Sequence, residues 1–248
     1  MTLPIEIYPL VFMVALAYSS VGHGGASGYL AVLALFGFMP KEMASSALAL
    51  NLLVAGTAFV AYWKSGHFLP RLFWPFALTS VPCALIGGLI DAPARVYSGL
   101  LAIVLAYAAF RLAFAGKGNG EEEPLRVPGL AVALPVGAGI GLLSGLIGVG
   151  GGIFLTPVML LFRWADAKRS AAASAAFIWV NSIAGLYGHS SRHGFNIVEF
   201  WPLVLAAFLG GVVGSSIGAR YFTVPVMKRV LAGVLVVAAF KMLRVSYG

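Results

Sequence analysis

Gly22-His23-Gly24-Gly25 and Gly148-Val149-Gly150-Gly151-Gly152 lie about half a chain apart, each within a long stretch without charged residues. Glycine runs allow the backbone to leave the helical conformation and to expose its amide groups. Inside a membrane, such irregular backbone is tolerated only around a cavity or where protein surrounds it. The two clusters therefore predict broken helices in the interior of a membrane protein.

The composition is that of an integral membrane protein. The 248 residues are 60% hydrophobic and 10% charged, with a mean hydropathy of +0.96, well outside the usual range of soluble domains. Most of the uncharged stretches are long enough to cross, or nearly cross, a hydrocarbon core of about 30 Å. The cations that give a net charge of +8 lie in loops and at segment ends, where membrane orientation explains them. The expected surroundings are therefore a lipid bilayer, and nucleic acid is not an expected partner.

Other sequence matches keep the spacing of the two glycine clusters. Trp74-Pro75 matches Trp201-Pro202, and Ala108-Ala109-Phe110-Arg111 matches Ala238-Ala239-Phe240-Lys241. Matches in one order indicate an internal duplication, and chance similarity in a chain rich in glycine and alanine is the alternative. We expect a first repeat over residues 1–114, a cytoplasmic linker over 115–128 and a second repeat over 129–248.

The first uncharged segment, residues 7–40, is too long for one ordinary crossing. As a continuous helix its 34 residues would span about 51 Å. It either crosses once as a broken helix or folds back at its glycines. Folding back in both halves places eleven Lys and Arg residues on one face and five on the other, whereas single crossings divide them equally, eight and eight. The positive-inside rule favours folding back.

We therefore predict an all-α, polytopic membrane protein with two inverted repeats. Each repeat consists of a broken-helix or re-entrant hairpin followed by three transmembrane helices, an architecture that recurs in secondary transporters. The predicted location is the plasma (inner) membrane, with both termini outside. The sequence leaves open whether the hairpin arms span the membrane fully.

The predicted hairpins suggest how a solute is held. Helices that begin after Gly25 and Gly152 would direct unpaired N–H groups and positive dipole ends into the membrane, where they bind an anion without a buried cation. Asp, Glu, Lys and Arg are absent from the middle of every predicted span, which favours an anion or a neutral solute over a cation. The alternative is that the glycines only permit close helix packing.

The candidate substrate-binding residues belong to the two clusters and to the helices that follow them. Serine and asparagine side chains can donate hydrogen bonds to oxyanions, although they also hold membrane helices together. The candidates are Gly22, His23, Gly24, Gly25, Ser27, Ser45, Ser46, Asn51, Gly148, Gly150, Gly151, Gly152, Ser174 and Asn181. No catalytic residue, metal site or cofactor is expected, because one cysteine and four scattered histidines offer no ligand spacing.

His23 is the one titratable residue among these candidates. It could donate to an anion or carry a coupling proton, since an unperturbed imidazole titrates near pH 6.5. It could equally be a neutral histidine bonded to the nearby backbone. The sequence leaves both interpretations open.

Two runs of the second half resemble the TauE/SafE family of sulfite and organosulfonate exporters. They are SGLIGVGGGIFLTP, residues 144–157, and AASAAFIWVNSIAGL, residues 172–186. The first half is similar but departs at His23 and Ser27. The resemblance implies export of a small sulfur-containing anion such as sulfite, sulfoacetate or another organosulfonate, and no enzymatic activity.

Two other functions stay open at this stage. The chain could be an importer or permease of another small anion, or a membrane scaffold or sensor that transports nothing. Transport direction, the coupling ion and the formation of a homo-oligomer are equally open.

Overall fold

The protein is all-helical in the part of the chain that the structure, a computed structural model, describes. These residues are 4–114, 127–193, 200–220, 235–244 and 246. The helices are α1 (Ile7–Ser19), α2 (Ala26–Leu35), α3 (Pro40–Lys64), α4 (Pro70–Leu89), α5 (Ala94–Phe114), α6 (Leu130–Ile147), α7 (Gly152–Leu161), α8 (Ala167–His193) and α9 (Trp201–Arg220). Residues 235–244 are also helical. The expected linker over 115–128 lies almost entirely outside the described residues.

Five of these helices are long and apolar enough to cross a membrane: α3, α4, α6, α8 and α9. Large apolar side chains cover their outer surfaces, and Trp74, Leu78 and Trp201 are each at least 60% exposed. In lipid such residues face hydrocarbon, so their exposure needs no partner protein. The prediction of a polytopic, all-α membrane protein is confirmed.

The two halves contain their helices in the same order. A short helix of ten residues follows each glycine cluster, α2 in the first half and α7 in the second. The long helices α3 and α8 come next, with 25 and 27 residues, and then α4 and α9, with 20 residues each. This common order agrees with a duplication, while the repeat boundaries and their opposite membrane orientations stay predictions.

The helices α2 and α7 are about half as long as the membrane is thick. Ten residues extend about 15 Å in an α-helix, against a hydrocarbon core of about 30 Å. The first of them runs back along α1, because Ser27 Oγ donates to the Tyr18 hydroxyl at 3.0 Å and Gly28 packs against Val14. In the second half, Gly151 lies against Ile140 of α6. Both short helices therefore begin beside the helix that precedes them.

Glycine stripes bring helices of different halves into close contact. Gly137, Gly141 and Gly145 of α6 lie where any Cβ would overlap backbone carbonyl oxygens of α4, those of Phe76, Ser80 and Ala84 respectively. Gly210, Gly214 and Gly218 of α9 lie in the same way against the carbonyls of Phe12 and Leu16 in α1 and of Ser20, the residue that follows α1. Small residues at a four-residue spacing let membrane helices approach backbone to backbone. Each half is therefore held against the other at two equivalent interfaces.

Candidate functional site

The first break in the helices, residues 20–25, leaves the start of α2 without a side-chain cap. Gly22 and Gly25 have φ angles of 75° and 98°, a left-handed conformation that L side chains rarely adopt. Gly25 is the N-cap of α2, and no side chain hydrogen-bonds to the first turn there. The first N–H groups of a helix have no partner within it. The break therefore leaves the first main-chain N–H groups of α2 directed into the protein interior.

The second break, residues 148–151, has the same construction. Gly148, Gly150 and Gly151 have φ angles of 86°, 75° and 84°. Gly151 is the N-cap of α7, again without a side-chain cap. The structure thus contains two buried helix N-termini, each preceded by left-handed glycine, as the glycine clusters predicted.

The two breaks meet at the side chain of Asn51 in α3. A Cβ placed on Gly24 would overlap the Asn51 Oδ1 atom, and one placed on Gly150 would overlap Nδ2. Asn51 is only 1% exposed. Its Nδ2 donates to Ser182 Oγ of α8 at 3.0 Å, while its Oδ1 has no hydrogen-bond partner among the residues that the structure describes. A buried polar atom without a partner is uncommon and marks a place where a ligand or water can bind.

Ile178 of α8 contacts the same two glycines as Asn51 of α3. Its Cγ2 lies 3.1 Å from the Cβ position of Gly24 and 3.0 Å from that of Gly150. Both breaks therefore touch the same two side chains, one an amide and the other a branched alkyl group.

Contacts seven residues earlier in α3 and α8 show which residues of the two helices correspond. Gly148 packs against Ala44 of α3, and Gly22 packs against Ala171 of α8. Asn51 follows Ala44 by seven residues, and Ile178 follows Ala171 by seven. The structure thus matches Asn51 with Ile178 and not with Asn181, the other candidate asparagine.

Asn181 faces α4 instead of the two breaks. Its Oδ1 accepts a hydrogen bond from Ser80 Oγ at 2.8 Å, and its Nδ2 donates to the Phe177 carbonyl at 2.8 Å. Both ends of the amide thus have protein partners, and the bond from Ser80 joins α8 to α4. A role for Asn181 in binding substrate stays a prediction.

The four candidate serines differ in their bonding. Ser27 donates to Tyr18, and Ser174 Oγ accepts from Thr156 Oγ1 at 2.7 Å. Ser45 and Ser46 are buried, and within the described part of the chain their hydroxyls have no hydrogen-bond partner. These two hydroxyls lie on α3, one to two turns before Asn51, and can still bind a ligand or water.

His23 lies within the first break and is partly buried. Its Nδ1 is 3.1 Å from the Val21 carbonyl, and its main-chain N–H donates to the Tyr18 carbonyl at 2.9 Å. A carbonyl oxygen only accepts, so the ring bond requires the proton on Nδ1. The contact to nearby backbone agrees with one of the two interpretations of His23, and coupling stays a prediction.

His189 of α8 holds the end of α6 and was missed in the sequence. It is 5% exposed, and its Nε2 lies 2.7 Å from the Gly145 carbonyl. Gly145 would normally accept from the N–H of Val149, but that group donates to Ser144 instead. His189 therefore supplies the donor that the break removes. A single histidine inside the uncharged stretch 170–191 was the signal that could have revealed it.

Two tyrosines hold the last carbonyls before the breaks. The Tyr62 hydroxyl of α3 donates to the Ser20 carbonyl, and the Tyr97 hydroxyl of α5 donates to the Ile147 carbonyl, both at 3.1 Å. The last carbonyls of a helix have no partner within it. These two bonds therefore stabilise the C-terminal ends of α1 and α6 by giving their carbonyls a donor.

Comparison with known proteins gives one family. A family model described as sulfite exporter TauE/SafE matches residues 7–242. The chain is 37% identical over 236 residues, 94% of its length, to the probable membrane transporter protein y4hK of Sinorhizobium fredii, of which the match covers 95%. It is 24% identical over 205 residues, 82% of its length, to the probable membrane transporter protein ORF9 of Sinorhizobium sp, of which 77% is covered. No solved structure matches the chain.

Proposed function

This chain is a membrane transporter, not an enzyme, and belongs to the sulfite exporter TauE/SafE family; from that premise we propose that it exports a small sulfur-containing anion, such as sulfite, sulfoacetate or another organosulfonate. The observation that carries the proposal is the buried Asn51 amide, which both helix breaks contact and whose Oδ1 has no protein partner. We assign the substrate site to this meeting point.

The groups around Asn51 suit an oxyanion. The uncapped first turns of α2 and α7 offer main-chain N–H donors and the positive ends of two helix dipoles. The Ser182 hydroxyl accepts from Asn51 and keeps its own proton to donate. The residues that touch Asn51 here, Gly24, Gly150 and Ser182, are all uncharged. Attraction by amide dipoles therefore replaces a buried cation.

The packing of the two breaks also suggests how access alternates. Gly24 and Gly150 lie directly on the Asn51 amide, so a substrate can reach it only when one break moves away. Opposite orientation of the two repeats would open the site to one side of the membrane when the first break moves and to the other side when the second moves. We place the transporter in the inner membrane with both termini outside.

The membrane potential can drive such export without a further energy source. Outward movement of a monovalent anion across an inside-negative membrane is favoured by about 2.3 kcal/mol per 100 mV. A separate proposal assigns a coupling proton to His23.

Flux measurements in proteoliposomes test the proposal. The purified protein should transport sulfite, sulfoacetate or taurine faster than empty liposomes do, and an imposed potential should change the rate for sulfite and sulfoacetate, which are anions, and not for taurine, which is a zwitterion. Asn51→Leu should reduce the flux at least tenfold because it removes the amide at the centre of the site. Thr57→Val is the matched control, since the Thr57 hydroxyl donates only to its own helix at Val54.

Two results would contradict the proposal. Flux no greater than that of empty liposomes for sulfite, sulfoacetate and taurine would exclude this substrate class. Undiminished flux in a folded Asn51→Leu variant would exclude the assigned site.

A further inference from the structure

Asn51 and Ile178 are corresponding residues with opposite chemistry. Each follows by seven residues an alanine that packs against a break glycine, and each touches both Gly24 and Gly150. A site between two related halves would present the same group twice if the halves were identical here. This site presents an amide on the α3 side and an alkyl group on the α8 side.

We propose that Ile178 is a specificity-determining residue that holds the carbon-bearing end of the substrate, while Asn51 and Ser182 hold its oxyanion. The substrate class is then a sulfonate with a short alkyl part, in preference to a bare inorganic oxyanion. This inference rests on the proposed function and narrows it.

The position of Ile178 supports this division. It is 2% exposed, and its Cδ1 and Cγ1 atoms lie against Gly152, the first residue of α7. The alkyl group therefore borders the same helix N-terminus that offers donors to an anion. A ligand held there has one side on polar donors and the other on hydrocarbon.

An inorganic oxyanion and an alkanesulfonate respond differently to that wall. Sulfite has three oxygen atoms and a lone pair on sulfur, so when its oxygens bind the donors it turns only the lone pair towards Ile178 and gains no apolar contact there. A methyl or methylene group in the same place gains affinity by leaving water, about fourfold for each methylene buried. The wall thus favours a ligand that has carbon on the side opposite its oxygens.

Competition experiments measure this preference. Unlabelled methanesulfonate, ethanesulfonate and sulfite compete with a radiolabelled substrate for flux in proteoliposomes that contain the full chain. In the unaltered protein, ethanesulfonate should compete about fourfold better than methanesulfonate. Ile178→Asn should abolish this advantage of ethanesulfonate over methanesulfonate. It should also improve competition by sulfite relative to ethanesulfonate at least tenfold. Ile178→Val, which keeps a branched alkyl group, should change neither ratio more than twofold.

Exchange of the two side chains gives a second, independent measurement. Asn51→Ile alone should lose transport, and Asn51→Ile combined with Ile178→Asn should recover at least a tenth of the original flux, because the amide again faces both breaks. Size-exclusion chromatography shows whether each variant is folded. If Ile178→Asn does not fold, Ile178→Ala provides the test instead. It should reduce the advantage of ethanesulfonate over methanesulfonate as a competitor.

The outcomes separate this inference from the proposed function. Absence of flux for every anion overturns both. Flux with no difference between methanesulfonate and ethanesulfonate, or an unchanged ratio in a transporting Ile178→Asn or Ile178→Ala variant, overturns only the role of Ile178. A folded double variant that stays inactive overturns the correspondence of the two positions.

Discussion

The two helix breaks share a left-handed N-cap glycine but differ in the side chains that support them. Gly25 and Gly151 are both left-handed N-caps, with φ angles of 98° and 84°. In the second break, donors from two other helices, His189 of α8 and Tyr97 of α5, hold the end of α6. In the first break, Tyr62 of α3 holds the end of α1.

This difference shows which part of the design depends on glycine and which does not. The left-handed turns require residues without a Cβ, so glycine recurs in both halves. The freed carbonyls require only some donor, which different side chains can supply from different helices. The breaks should therefore respond alike to substitution of their N-cap glycines, Gly25 and Gly151, and unlike to changes of the supporting side chains.

The largest effect is expected from Gly150→Ala. The new Cβ would overlap the Asn51 amide, at about 1–3 kcal/mol, and force alanine into a left-handed conformation, at about 1–2 kcal/mol more. Gly24→Ala should show the overlap alone, since Gly24 is outside the left-handed region. Thermal unfolding in detergent measures both. Gly139→Ala is the control, because nothing lies within 4 Å of its Cβ position. Equal losses at Gly24 and Gly150 would contradict the backbone contribution.

His189→Phe should lower the free energy of unfolding by about 1–3 kcal/mol, because the buried Gly145 carbonyl loses its donor. Tyr62→Phe, the corresponding change at the first break, removes an ordinary hydrogen bond and should lose about 0.5–1.5 kcal/mol. His189→Gln retains a donor and should recover part of the loss. A larger loss in Tyr62→Phe than in His189→Phe would show that the first break, and not the second, depends more on its supporting side chain.

His23→Val makes the first break resemble the second, which has Val149 at the matching position. If His23 carries the coupling proton, the flux of the variant should no longer change between about pH 5.5 and 7.5, where imidazole titrates. Proteoliposomes with equal pH on both sides provide the measurement. A pH profile identical to that of the unaltered protein would leave His23 with its local bond to the Val21 carbonyl as its role.

The smallest effect is expected from Lys241→Met. The Lys241 ammonium donates at 3.1 Å to the carbonyl of Leu35, the last residue of α2. A cation at a helix C-terminus contributes about 0.3–1 kcal/mol, so the variant should unfold at a slightly lower temperature. Lys241→Arg keeps the charge and should remain close to the original. An unchanged unfolding temperature in Lys241→Met would show that this bond does not hold α2.

The breaks themselves could be predicted from the sequence because their cause is local. Glycine clusters in uncharged segments predicted that new helices begin after them, and helices do begin there, although their length of ten residues was left open by the sequence. Asn51 could be proposed because an amide inside an apolar helix is conspicuous. The glycine stripes of α6 and α9 are also visible as a four-residue spacing, although their partner helices are not.

The partner of Asn51 could not be predicted, because it depends on how α3 and α8 are rotated against each other. Asn181 lies three residues beyond Ile178, and three residues turn a helix by about 300°, which moves the side chain about 60° around its axis. In a helix rich in alanine and serine, no local signal fixes that rotation. Ile178 itself drew no attention because an isoleucine in a membrane helix is ordinary.

The glycine stripes have a consequence for how the halves recognise each other. Both stripes, three glycines in α6 and three in α9, belong to the second half, and the carbonyls that they approach belong to the first. Two first halves would meet through α1 and α4, neither of which contains such a stripe. The surfaces are therefore complementary instead of interchangeable. A chain divided between its two halves should therefore assemble as mixed pairs, each of one first half and one second half.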